Sequence, residues 1–264
     1  AMGRADAEAS DVVIRWRLAD NVDRLRWRPH DWVVEPSQVT GESYLRYLPG
    51  AVREIEVGWR HAPSPELTLP RPRGYLVLAG WPQIERMVAE HGLQAHRVVV
   101  DTEAELETIR VSEPVLASTP YQGATMVEDF AISRQLERRV VPAASVWIPA
   151  DQPDFEVAVQ LFEPEASDSL LRWGMISTVF ERKEYIGTAT LEEQARQMLE
   201  HDEVRLAWQQ ALEDRDFAAD PRARALWWYR RTPYWDEQVG LLPIMRVLEI
   251  PPWRTEPWDG PVVE

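Results

Sequence analysis

Five of the carboxylates between residues 151 and 185 of this 264-residue chain, with one tyrosine, could do chemistry: Asp151, Glu163, Asp168, Glu181, Glu184 and Tyr185, with Lys183 inside the run FERKEY. These types can exchange protons with a substrate, and a carboxylate pair in an apolar site can split its pKa values so that one member donates while the other accepts. On a helix, Glu181 would share a face with Glu184 or Tyr185. The competing reading is the weightier. Glu163 and Asp168 would satisfy turns and caps, and FERKEY would anchor a helix end through ion pairs and a tyrosine hydrogen bond. No catalytic residue is therefore expected, and these six are the first choices if the chain proves catalytic.

Metal chemistry has less support. One arrangement of a hydrolytic zinc site uses two histidines and a glutamate, and the spacing sought for its first pair is His-x-x-Glu. The residue three after each of the five histidines is Val33, Ser64, Gln94, Val99 or Val204, so none makes that pair. His91 and His96 straddle an expected helix end and need not face one another. The acidic runs Asp101 to Glu107 and Glu213 to Asp220 lack the EF-hand spacing and read as solvated surface. No Gly-x-Ser-x-Gly elbow or phosphate-cradling glycine loop is present.

A second group has the types for binding. Trp16, Trp27 and Trp32 alternate with Arg15, Arg17, Arg24, Arg26 and Arg28, a cationic and aromatic surface able to hold an acidic partner or a peptide carboxylate. Arg15, Trp16, Arg26, Trp27, Trp32 and Lys183 are the binding candidates. Against them stands ordinary packing of arginine stems over tryptophan rings on a sheet face. Thirteen tryptophans in all also admit a module that stacks on carbohydrate or cell wall.

Composition bounds the alternatives. With 44 acidic and 29 basic residues the net charge is -15, which opposes binding to a phosphate backbone and excludes nucleic acid as an expected partner. There is no cysteine, hence no disulfide framework and no thiolate ligand or nucleophile. No apolar run reaches the ~20 residues of a membrane span. The start lacks a signal pattern, and Ala1, Met2 and Gly3 read as a tag scar; a signal peptide ahead of them would export the chain. The compartment stays open.

The elements expected to position these residues form an α+β fold: a strand-rich N-terminal half with a small strand-helix-strand unit, and a mostly helical C-terminal third. Residues 1–10 are read as tag scar or disordered and 11–72 as short strands closed by a proline-rich linker. An α/β sheet region follows over 73–164, helices packing on it over 165–248, and an extended tail over 249–264. Tyr75 to Leu78, then Ile84, Met87 and Val88 at helical spacing, Gly92 as a cap and Val98 to Val100 make the strand-helix-strand unit. A helix is expected from Asp168 through Leu170, Leu171 and Trp173 toward Phe180. Thr190 and Glu193 have the capping-box spacing, and Asp220 with Pro221 opens a further helix.

The stretch VPAASVWIPADQPDFEVAVQLFEPEASDSLLRWGMISTVFERKEY, Val141 to Tyr185, resembles the C-terminal portion of large bacterial zinc carboxypeptidases of the carboxypeptidase A superfamily, which reads roughly PAGSVWVPADQP, LLEP, DSLLRWG and FEQKEY. LPRPRGYLV, AGWPQIERMVAEHG, TPYQGATMVEDF and ADPRARALWWYRRTPYWDEQ extend the resemblance over most of the chain from about residue 69. This chain departs where the family usually has glycine at Ala144 and two phenylalanines at Met175 and Ile176, and where the family ends soon after Leu242 and Pro243. The resemblance implies an accessory region without a zinc site of its own. It would pack on an upstream or separate peptidase domain, which supplies the zinc and the glutamate base, and shape access for a peptide. Two rivals remain: a relative with a different carboxylate-based activity, and the tryptophan-rich wall-binding module.

Overall fold

A computed structural model describes residues 11–182 and 185–260, in two compact units, 1–71 and 72–264. The fold is α+β.

The first unit has six strands, β1 (Val12–Leu18), β2 (Asp23–Trp27), β3 (His30–Pro36), β4 (Ser43–Val52), β5 (Ile55–Trp59) and β6 (Pro63–Leu69). They pair as β1 with β6, β2 with β5 and β3 with β4, all antiparallel. Val12 faces Leu69, Asp23 faces Trp59 and His30 faces Val52, so the three pairs continue one another with slips at bulges in β1 and between His30 and Trp32. The chain makes a two-stranded ribbon that reverses at Ser37, whose hydroxyl accepts from the amides of Val39 and Thr40, with Gly41 at φ 78°. The expected short strands are thus arranged as a ribbon. The stretch read as a proline-rich linker is instead mostly strand: Pro63 and Pro65 sit in β6, where an unpaired edge tolerates the missing donors.

The second unit is built on a seven-stranded antiparallel sheet ordered β10-β9-β12-β7-β11-β8-β13. Its strands are β7 (Gly74–Val77), β8 (His96–Val98), β9 (Thr102–Leu116), β10 (Val127–Val141), β11 (Val146–Pro149), β12 (Ile244–Val247) and β13 (Thr255–Pro257). β7 and β12 are buried along their whole length, and β9 with β10 forms a long hairpin. Helix α1 (Pro82–Glu90) buries Ile84 and Val88, and Gly92 follows at φ 67°, as the strand-helix-strand reading expects. One sheet face carries Leu76, Leu106, Trp147, Met245 and Trp253 in a single apolar cluster. Within the stretch read as an extended tail, β13 joins the sheet edge through pairing with β8.

The helices depart from expectation at three places. Helix α2 (Phe155–Phe162) was not foreseen, because its eight residues make barely two turns, too few for the polar pair Glu156 and Gln160 to set a helical period; it buries Phe155, Ala158, Val159, Leu161 and Phe162. Residues 165–176 make turns rather than the expected helix, closed by a 3-10 turn at Ser177–Phe180. Helix α3 (Thr188–Met198) starts after Gly187 with no side-chain cap, so Thr190 lies inside it and the capping box is not made. Helices α4 (Asp202–Ala211), α5 (Arg215–Ala219) and α6 (Pro221–Tyr229) follow. Asp220 caps α6 as its sequence predicts, accepting from the Arg222 amide at 2.8 Å.

The quoted sequence blocks meet where the connections need them. The Val127 amide donates to the Arg172 carbonyl at 2.9 Å, the Arg172 guanidinium donates to the Glu128 carbonyl at 3.1 Å, and Tyr121 lies 6.3 Å from Trp173, ring to ring. Gly174, at φ 69°, lies so close to the hairpin that a Cβ there would fall 2.2 Å from the Thr125 carbonyl oxygen. Gln152 ties two segments, accepting from the Gln94 amide and donating to the Gln94 and Pro149 carbonyls.

Candidate functional site

Cross-strand register places Ile148, Tyr75 and Arg246 side by side on β11, β7 and β12, with Glu107 of β9 opposite Arg246. Residues opposite one another in a sheet share a face, so these four form a row. Helix α2 covers that face: Phe155 stacks on Tyr75 at 5.5 Å and Phe162 meets it edge-on at 5.3 Å. The helix ends at Glu163, whose φ of -76° and ψ of 118° turn the chain out of the helix.

Glu163 is fully buried. Its Oε1 accepts from the Tyr75 hydroxyl at 2.7 Å and lies 2.9 Å from Nε of Arg246, while its Oε2 accepts from Arg134 at 3.2 Å. Arg134, on β10, also forms a two-pronged pair with Glu165 at 2.7 and 2.8 Å. Arg246, 2% exposed, reaches Glu107 with its other arm. Burial pushes the Tyr75 phenol well above its usual value, and the adjacent Glu163 charge adds to the rise, so the hydroxyl stays a donor. Burial opposes the charge on Arg246, but Glu163 and Glu107 outweigh it and hold the guanidinium protonated.

One phenol and two guanidiniums therefore converge on one carboxylate. Buried charges persist when paired and hydrogen-bonded in this way, and the arrangement fastens α2 to four strands. Five of its members, Tyr75, Glu107, Arg134, Glu165 and Arg246, were not among the sequence candidates. A signal existed for one: Arg246 interrupts the apolar strand IMRV.

The other carboxylate candidates do not join Glu163. Asp151 and Glu181 are exposed, and the Asp168 carboxylate is a long 3.5 Å acceptor from the Trp173 indole. Among the described residues no hydrogen bond or ion pair links any two of Asp151, Glu163, Asp168 and Glu181. Glu181 follows the 3-10 turn in an extended conformation, at ψ 133°. Tyr185 is 82% exposed; Lys183 and Glu184 lie outside the described residues.

The binding candidates of the first unit sit along the ribbon. Arg15 pairs with Glu66 at 2.8 Å, and Trp16 and Trp27 are about half exposed, at 52% and 55%. Arg26 is exposed. Trp32 is half-buried beneath Arg53, whose guanidinium lies 4.3 Å from the ring centre. Trp27 faces Ile55 and Leu25 faces Val57, with Trp59 next along the row. Trp32 faces Tyr47 and Val34 faces Leu45 further out. In these rows Leu25, Trp27, Val34, Leu45, Tyr47 and Trp59 are exposed, while Trp32, Ile55 and Val57 are half-buried.

No three or more His, Asp or Glu side chains among the described residues gather as metal ligands. His61 bonds Asp23 at 2.6 Å, His91 bonds the Met87 carbonyl at 2.9 Å after α1, and His96 opens β8. No helix among the described residues is long and apolar enough to cross a membrane.

Comparison with known proteins gives a partial likeness. Over 112 residues, 42% of this chain and 20% of the relative, it is 29% identical to Carboxypeptidase 2 of Trichophyton equinum. Over 115 residues, 43% of the chain and 21% of the relative, it is 28% identical to Carboxypeptidase 2 of Trichophyton rubrum. The match spans about a fifth of the length of these curated relatives. No family model matches the chain. No solved structure matches it either. The chain is carboxypeptidase-like over that stretch.

Proposed function

We propose that this chain is an accessory region of a zinc carboxypeptidase-like protein, related to the C-terminal portion of the large bacterial members. In this reading a separate or upstream peptidase domain supplies zinc and the glutamate base. This region packs on that domain and shapes the approach of the peptide.

The observation that carries the reading is the partial match to Carboxypeptidase 2, taken with what the chain does with its own acid groups. The one buried carboxylate among the candidates accepts from a phenol and one guanidinium and is ion-paired with a second, which commits it to holding α2 on the sheet. The ribbon complements this by presenting Trp27, Trp59 and Tyr47 to solvent on paired rows, and exposed apolar rows of this kind mark surfaces that meet a partner. The same rings favour one second reading, stacking on sugar rings of a polysaccharide.

The test joins the chain to a zinc carboxypeptidase catalytic domain and follows release of C-terminal residues from peptides of increasing length. The expected result is a change in length preference that Trp27→Ala with Trp59→Ala abolishes. Identical preference with and without the chain contradicts the proposal, and retention on an insoluble polysaccharide would favour the second reading.

A further inference from the structure

Between α3 and α6 runs a groove of about 1070 Å³, lined also by Trp208 of α4. Its floor is apolar, with Leu191 and Leu199 on one side and Leu226 and Trp228 on the other. Among the described residues the helices beside it are little buried: α4 buries none of its residues and α3 only Ala195.

The charge at its mouth is the reverse of the surrounding protein. Residues 72–264 carry 19 basic and 33 acidic side chains, yet Arg182, Arg222 and Arg224 all line this groove without a carboxylate partner among the described residues. Arg182 and Arg224 lie over aromatic rings, 5.5 Å from Tyr229 and 5.6 Å from Trp208. Of the two acids beside them, Asp220 is committed to capping α6, which leaves Glu192. A guanidinium held on a ring keeps its donor fork free for a carboxylate.

From this combination we infer that the groove binds an acidic peptide segment, one carrying carboxylates beside apolar side chains. The arginines take the carboxylates and the leucine and tryptophan floor takes the apolar groups. A polyanion such as nucleic acid is disfavoured by the net charge of -15. The inference stands independently of any attached peptidase domain.

The experiment is fluorescence anisotropy with a fluorescein-labelled peptide of alternating glutamate and leucine, against the same peptide with glutamine for glutamate. Saturable binding of the acidic peptide is expected, at least tenfold weaker for the glutamine peptide and for Arg222→Ala with Arg224→Ala. Circular dichroism of that variant should be unchanged, because both arginines are exposed. Equal affinity for the two peptides, binding indifferent to the arginine substitutions, or no saturable binding would each overturn the inference. If the double variant unfolds, Leu191→Glu replaces it: repulsion in the floor must weaken the acidic peptide, and undiminished binding overturns the inference.

Discussion

Arginine meets glutamate in both units of this protein, with different consequences. On the ribbon, Arg46 forks onto Glu35 at 2.7 and 2.9 Å, and Arg15 meets Glu66, all at side chains well open to water. In the second unit, Arg246 and Arg134 meet Glu163 where the carboxylate has no exposure at all. The geometry is alike and the surroundings are not. In water an ion pair gains little over its hydrated parts, whereas a buried partner cannot be removed without stranding the charge that remains. The same residue types thus decorate one region and hold the other together.

The sharpest way to break this comparison is Glu163→Ala. Two guanidiniums and a phenol lose their common acceptor, and about 3–5 kcal/mol of stability should be lost, read by urea denaturation. A change no larger than that of a surface pair would deny the cluster its structural role. Tyr75→Phe removes one donor from the same carboxylate and should cost about 1–3 kcal/mol. It should also alter the alkaline limb. The folded phenol holds its proton beyond the pH at which the unfolded one loses it, so wild-type stability is fully present below pH 10.0 and falls as pH rises above it. The phenylalanine variant should lose that part of the decline.

Smaller effects sharpen the picture. Asp220→Ala should cost about 1 kcal/mol by removing the α6 cap. Ala144→Gly should stabilise by about 0.5–1 kcal/mol, because Ala144 holds φ 69°, a left-handed conformation costly to any residue with a Cβ. On the ribbon, Arg46→Ala should leave the denaturation midpoint within error of the wild type.

Much of the fold could be read in advance where the signal was local. Asp220 before Pro221, Gly92 after a helical stripe and the alternation in 12–18 each act within a few residues. The ribbon could not be read as such, since pairing of β1 with β6 is decided by residues 45 to 57 apart. Helix α2 was hidden by its shortness, eight residues in which a helical period has little room to show, and the turns at 165–176 by leucines that pack without helical repetition. Among the site candidates Glu163 was within reach and its partners were not, because Tyr75, Arg134 and Arg246 come from three separate strands. The departure at Ala144 has a conformational meaning: glycine suits that backbone, and this chain bears an alanine there.

The most direct test of the accessory reading is to count zinc. The purified chain, incubated with excess zinc and desalted, would be analysed by elemental mass spectrometry while release of C-terminal residues from mixed peptides is followed. Zinc far below one per chain with no release is the predicted result. One zinc per chain with sustained release would contradict the account and assign this chain a peptidase site of its own.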